Sequence, residues 1–328
     1  MMRIVAVVFV LMLAVSSMAQ TKREMLRHRM DSIMTARRSK VTFDTAFIGR
    51  PQGKLTIKLR GNVSGNTIRT EGKILGVSNS SKLSTDNKAT VSVGVIYRGI
   101  AAGFALNPAK LSGRNKDYEL NLNIYSKKLS VDASYQMSKT LSGDFKSEDR
   151  VVHLERGMVD MKVLNMAGYY TFNHRRFSYP AAFTQSYIQK RSAGSWLAGF
   201  SFQGGRMENP RYEDLGIPQL RTYVGNFAIG GGYGYNFVGG KRWLLHLSAM
   251  PTLIVVNRNN ITVDGERRKV GYHFPEMIFN EHMAIVYNIS PRYFLATTVV
   301  FSISTYRSSA VQIIQNKWRS RACLGIRF

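Results

Sequence analysis

Alternation of apolar and polar residues, renewed in stretch after stretch, constrains this chain more than any other feature. In "DYELNLNIYSKKLSVDASYQM", Tyr118, Leu120, Leu122 and Ile124 alternate with Asp117, Glu119, Asn121, Asn123 and Tyr125. Beyond the turn, Leu129, Val131, Ala133, Tyr135 and Met137 alternate with Lys128, Ser130, Asp132, Ser134 and Gln136. A strand sends successive side chains to opposite faces, so period two dictates a sheet with one greasy and one polar side. A two-residue turn at Ser126-Lys127 would pair Ile124 with Leu129, Leu122 with Val131, Leu120 with Ala133, Tyr118 with Tyr135 and Asn121 with Asp132. Every residue then faces a partner of its own kind.

The same period returns at 54–60, 89–97, 161–172, 195–203, 222–235, 242–256, 277–287, 292–304 and 314–328. The last segment, "NKWRSRACLGIRF", holds Trp318, Ala322, Leu324, Ile326 and Phe328 on one parity, broken only by Ser320. Arg319, Arg321, Cys323, Gly325 and Arg327 hold the other. Several segments reach the ~9–11 residues that cross a bilayer at a tilt. Short connections at 126–127, 238–242 and 289–292 alternate with long polar ones at 139–160, 204–221 and 257–276. Short turns at one end and long loops at the other are the pattern of bacterial outer-membrane barrels, and aromatics near strand ends (Tyr97, Tyr118, Trp243, Tyr293) fit their girdles. Ionised groups inside strands, Glu119, Asp132, Arg319 and Arg321, suit a hydrated lumen better than a soluble β-sandwich.

The N-terminus agrees. "MMRIVAVVFVLMLAVSSMAQ" has a basic start, an apolar core and small Ser17 and Ala19 before Gln20, the pattern of a cleaved secretory signal. The expected organisation is a signal peptide over 1–19, a basic periplasmic leader over 20–53 and an outer-membrane barrel over 54–328. The fold class is all-β, an antiparallel transmembrane β-barrel of about 12 strands, with 14 as the alternative. The lower count takes 89–106 as one strand and leaves 173–194 as a long periplasmic connection; the higher splits 89–106 near Gly99 and adds a strand through Phe177, Tyr179, Ala181 and Phe183. The predicted location is the cell outer membrane of a Gram-negative bacterium.

A formal charge of +26 would ordinarily suggest nucleic acid, but export redirects it toward anionic lipids, solutes or glycans. The expected partners are outer-membrane lipids, lipopolysaccharide included, and the outer-membrane assembly machinery, with no nucleic acid. Trp318, Ile326 and Phe328 are expected to form the assembly signal on the last strand. One cysteine, Cys323, excludes an internal disulfide and a thiolate cluster, and no two of the six histidines show ligand spacing. Neither metal nor cofactor is expected. Cys323 reads as a small strand filler or, beside arginines, a reactive thiolate.

The stretches "FDTAFIGRPQGKLTIKLRGN", "YRGIAAGFALN", "RRFSYPAAFTQSYIQKRSAGSWLAG" and "GYGYNFVGGKRWLLHLSAMP" resemble a family of uncharacterised outer-membrane barrel proteins common in Bacteroidetes, classed as a domain of unknown function. The resemblance spans residues 43 to about 255. It implies a barrel in the outer membrane and brings no catalytic residues.

His246 and Ser248 are the one enzymatic candidate. At i and i+2 of a strand both share a face, where imidazole can take a hydroxyl proton. Asn257, Asn259 or Asn260 would orient the ring. Such a pair resembles the His-x-Ser of lipid-hydrolysing outer-membrane barrels, but Ala249 stands where their motif has Asn, and the pair lies opposite Trp243, Leu245 and Leu247, toward the lumen. A hydrogen-bonding lumen pair is the competing reading. Glu119, Asp132, Arg319, Arg321 and Arg327 are expected to line the lumen. There the arginines either pair with Asp117, Glu119, Asp132 or Glu281, which is favoured, or form an anion path. Basic residues Arg175, Arg176, Lys190, Arg191, Arg267, Arg268 and Lys269 are candidates for lipid phosphates. The favoured function is a non-enzymatic small channel, envelope scaffold or surface-binding barrel; the alternative is a lipid-modifying hydrolase.

Overall fold

The computed structural model describes residues 42–51, 53, 55–74, 77–97, 100–106, 117–148, 150–269, 271–307 and 311–328. The signal peptide, the leader up to residue 41 and the turn at Gly99 lie outside them. Two strand-only pieces sit apart from the main sheet: β1 (Ile48–Gly49) and β11 (Ile188–Gln189) pair with each other. The main sheet is built from β2 (Leu55–Ile74), β3 (Val77–Ser84), β4 (Lys88–Tyr97), β5 (Ile100–Leu106), β6 (Tyr118–Tyr125), β7 (Leu129–Ser138), β8 (Ser142–Ser147), β9 (Arg150–Leu154) and β10 (Asp160–Thr171). It continues through β12 (Ala193–Asn209), β13 (Leu220–Gly239), β14 (Trp243–Asn257), β15 (Asn260–Val263), β16 (Glu266–Lys269), β17 (Met277–Asn288), β18 (Tyr293–Arg307) and β19 (Val311–Arg327).

Antiparallel pairings run β5-β4-β2-β19-β18-β17-β14-β13-β12-β10-β7-β6. Neighbours in space are neighbours in sequence, a meander, except that the last strand lies along the first. Phe328 completes that seam: its N–H donates to Leu55 O at 2.7 Å and its O accepts from Leu55 N at 3.1 Å. The sheet is curled strongly enough for its polar faces to touch across the interior. Ser64 on β2 donates to Glu119 on β6 at 2.9 Å, and Lys317 on β19 to Ser134 on β7 at 2.8 Å.

Which face points inward is the reverse of a soluble protein. His246, Asn236, Thr252 and Asn226 are buried, while Leu59, Val93, Leu120, Trp196, Ile229 and Leu295 are exposed. The outward face then changes character along each strand. On β2, Ile57, Leu59 and Val63 give way to Arg69, Glu71 and Lys73; on β12, Trp196, Phe200 and Phe202 give way to Arg206 and Glu208. On β13, Phe237, Tyr233, Ile229 and Phe227 end at Arg221, which pairs with Glu208 at 3.1 Å. An apolar belt thus runs round the outside next to the short turns, with a charged skirt beyond it. At about 3.3 Å per residue the 20 residues of β13 reach well past that belt. The overshoot carries the β15–β16 hairpin and the β3–β8–β9 extension.

Three expectations change. The segment 89–106 is two strands: β4 and β5 form a hairpin in which Tyr97 pairs with Ile100 and Val91 with Leu106. The 126–127 turn moves one residue on, so Ile124 meets Val131, Leu122 meets Ala133, Leu120 meets Tyr135 and Asn123 meets Asp132. Faces survive because the pairing slips by two, which parity cannot detect. Ser126 sets the choice: its N–H and its hydroxyl both reach Leu129 O, at 3.0 and 2.5 Å, which puts Lys127-Lys128 at the tip. Finally, Phe177–Phe183 is no strand. Tyr179–Phe183 is a short helix, α1, whose first turn is capped by Ser178 Oγ accepting from Ala181 N–H at 3.2 Å, with Pro180 at the tolerated first positions.

Candidate functional site

The connection from β10 to β12 leaves and re-enters the sheet at the short-turn end, yet it folds back inside. All five residues of α1 are buried, as is Phe177. Lys58 on β2 holds the end of the helix, donating to Thr184 O and, at 2.9 Å, to Gln185 Oε1. Residues 43–51, assigned to the leader by sequence, join this plug: β1 pairs with β11, and the Phe43 ring meets Tyr187 edge-on at 5.7 Å.

The plug meets the wall at His246 and Ser248, and proton positions there follow from the partners. Asn236 Nδ2 donates to Ser178 O at 3.1 Å and to Gln189 Oε1 at 3.0 Å. Gln189 is oriented in turn, because its Nε2 donates to Arg176 O at 2.6 Å and Arg191 O at 2.9 Å. Asn236 Oδ1 is therefore the atom facing His246 Nδ1 at 2.7 Å, and it can only accept, so Nδ1 carries the ring proton. Neutral Nε2 then accepts from Ser248 Oγ at 3.0 Å, and that oxygen accepts from Tyr179 OH at 2.8 Å. The hydroxyl donates to the imidazole and the imidazole to an amide, the polarity a nucleophilic serine needs. Sequence predicted the first two members. It assigned the third to Asn257, Asn259 or Asn260; the structure uses Asn236, directly across the β13–β14 pair from His246. Asn257 and Asn259 instead serve the loop end, donating to Glu276 at 3.0 Å and accepting from Gly225 N–H at 3.0 Å. Among the described residues no pair of main-chain N–H groups faces Ser248 Oγ, and Tyr179 covers it.

A second cluster adjoins the first. Asp132 accepts from Tyr125 OH at 2.5 Å, Tyr169 OH at 2.6 Å, His282 Nε2 at 3.1 Å and Asn123 Nδ2. Tyr169 and Tyr179 pack with ring centroids 5.1 Å apart, which joins the two networks. Glu119 lies between Lys88 at 3.8 Å and Lys317 at 4.0 Å, and Asp117 is 3.6 Å from Lys88. Among the described residues no ion pair joins Arg319, Arg321 or Arg327 to Asp117, Glu119, Asp132 or Glu281, so the favoured pairing is not found there. Lysines and His282 reach the carboxylates first, while Arg321 donates to Asn62 Oδ1 at 2.7 Å and Arg319 lines a cavity of about 70 Å³ in mid-lumen. Arg327 sits at the short-turn end beneath the plug, donating to Asn288 Oδ1 at 3.1 Å. Cys323 is buried beside Phe294 in the plug's apolar cluster. Trp318, Ile326 and Phe328 share the outward parity of β19.

Toward the long loops the lumen is apolar. Ile68, Leu83, Leu141, Leu154, Met161 and Ile217 form one buried cluster, and Ala228, Ile254, Ile278 and Tyr306 another, with Ile313 packed against both. Plug, polar middle and apolar cap fill the interior at three heights.

A family model described as Domain of unknown function (DUF4421) matches residues 42–328. The chain belongs to that family. No curated protein matches this DUF4421 member. Among solved structures it is similar to the outer membrane protease OmpT from Escherichia coli, at 9% identity and a TM-score of 0.46, covering 85% of this chain and 97% of that one. It is also similar to the outer membrane protein OprG from Pseudomonas aeruginosa, at 11% identity and a TM-score of 0.28, covering 85% and 98%. At these scores the likenesses decide nothing about activity.

Proposed function

We propose that this DUF4421 member is a closed, non-enzymatic outer-membrane β-barrel that acts as an envelope scaffold or presents its long-loop end for binding, rather than a channel. Its source is a Gram-negative cell, in line with the Bacteroidetes resemblance, after removal of a signal peptide over 1–19. Twelve strands make the wall, with β5 and β6 closing it. The tie between Glu119 on β6 and Ser64 on β2 supports that closure. The outward belt supports the bilayer, since a strip of exposed leucine, valine and aromatic side chains bounded by charge matches an apolar band about 25 Å tall. Trp318, Ile326 and Phe328, outward on the last strand, are the proposed mark for assembly.

One observation carries the closed state: residues 177–189 return into the lumen, with Phe177 and all five residues of α1 buried. An open pore would leave polar side chains facing water; here His246 and Ser248 face Tyr179 and Phe183, and Lys58 donates to Thr184 and Gln185 of the plug. Planar-bilayer recording of the refolded chain tests this. No ion steps are expected, and regular single-channel steps would reject it.

The Ser248–His246–Asn236 order favours a second reading, a lipid hydrolase. Its serine is oriented to lose a proton but lacks both a path for substrate and donors for an oxyanion. Incubating the purified protein with phospholipid vesicles is expected to release no fatty acid. Release that disappears in Ser248→Ala would establish the hydrolase and overturn the scaffold.

A further inference from the structure

The plug leaves one space unfilled at the short-turn end. A cavity of about 160 Å³ lies between β11 and the Gly240–Arg242 turn, lined by Lys190, Lys241, Arg242 and Arg327 and by no carboxylate. At about 30 Å³ per water that volume exceeds what a few waters need and accommodates a phosphate group. Among the described residues none of the four cations forms an ion pair with a carboxylate, and three of them have neutral partners. Lys190 donates to Thr45 O at 3.0 Å, and Arg242 to Tyr287 OH at 3.4 Å. Arg327 is 3% exposed, donates one arm to Asn288 Oδ1 and Pro291 O, and stacks over the Phe294 ring at 4.4 Å. Its Nε is buried with no hydrogen-bond partner. A guanidinium taken out of water without a counter-charge is expensive, and a fork of free N–H groups is matched to phosphate oxygens. Beside the cavity, Trp243 lies on the outward face with its ring 4.4 Å from Tyr287. That aromatic pairing is typical of side chains at head-group height.

We infer that this cavity binds a phosphate-bearing anion, whether the head group of an anionic phospholipid or free phosphate, through Lys190, Lys241, Arg242 and Arg327. Only the lipid source rests on the membrane reading. Lys190, Lys241 and Arg242 capture the charge at the mouth, and Arg327, in the lining, adds its positive charge from inside. The outward tryptophan would keep the acyl chains of a lipid ligand in the bilayer.

The full chain is refolded in detergent, and two probes are offered. One is radiolabelled inorganic phosphate. The other is mixed micelles of phosphatidylcholine and phosphatidylglycerol, with retained lipid read by native mass spectrometry. Wild type is expected to retain phosphatidylglycerol at least tenfold over phosphatidylcholine, or to bind phosphate. The exposed double variant Lys241→Gln/Arg242→Gln loses about tenfold, and Arg327→Gln loses more. Lipid retention that millimolar phosphate does not displace assigns the lipid; phosphate bound without lipid assigns the free anion; either supports the site. Lys128→Gln, at the same end but outside the cavity, controls for diffuse charge. Equal losses in Lys128→Gln and the double variant would overturn the inference, as would no difference between the double variant and wild type. Because Lys241 and Arg242 occupy a solvent-facing turn, their variant folds even if Arg327→Gln does not.

Discussion

Asp132 gathers four donors from three strands, its hairpin mate β6, its other neighbour β10 and β17 on the far wall, so its removal leaves Tyr125, Tyr169, Asn123 and His282 all without this acceptor. Losing one partner of a buried charged network costs about 3–5 kcal/mol. Asp132→Ala is expected to lower the temperature at which the folded gel band converts to the unfolded one. Asp132→Asn, which keeps one carbonyl oxygen, should fall between the two. An unchanged transition in Asp132→Ala would show that the donors find water instead. Parity alone placed Asp132 inside, because alternation says which way a strand residue points. Its partner His282 lies 150 positions away, and nothing local in the sequence signals that meeting. His246 and Ser248 were legible for the same reason, as neighbours on one face. Asn236 and Tyr179 were not, because one comes through strand register and the other through a loop that folds inward.

At the scale of elements, the strands were legible and the plug was not. Phe177, Tyr179, Ala181 and Phe183 alternate as a strand would, but Ser178 supplies a cap and Pro180 fits the first helical turn. Inside a barrel a short helix can be apolar on every side, so its sequence shows no stripe. The plug's role is separable from the wall. Replacing residues 178–189 with a Gly-Ser linker, in a Cys323→Ala background, should let Ser248→Cys react with a water-soluble maleimide. With the plug present that cysteine should stay unmodified, since Tyr179 and Phe183 cover the position. Conductance should remain absent in the truncated chain, because the Ile68–Met161 cluster still closes the loop end. Rapid labelling with the plug in place would mean that it does not occupy the lumen.

For the whole molecule, connectivity and charge give a direction. Both Leu55 and Phe328 lie at the short-turn end, as do the plug and the cationic cavity, while the charged skirt, the β15–β16 hairpin and the apolar cap lie at the other. The sequence carried this polarity in its short and long connections, though not how far the strands overshoot the belt. That depended on charged outward positions such as Arg69 and Arg206, which alternation treats like any other polar residue. A barrel inserted from the periplasm keeps its termini and short turns on that side and pushes the long loops outward. Two single cysteines in a Cys323→Ala background test the direction. Arg267→Cys sits on the exposed β16 hairpin and Lys128→Cys on the β6–β7 turn. In intact cells a membrane-impermeant maleimide should modify Arg267→Cys and spare Lys128→Cys, and permeabilising the outer membrane should make the two equally reactive. The reverse pattern would invert the barrel and put the cationic cavity outside. Equal labelling before permeabilisation would remove the protein from the outer membrane altogether, leaving its exposed apolar belt to be covered by something other than lipid.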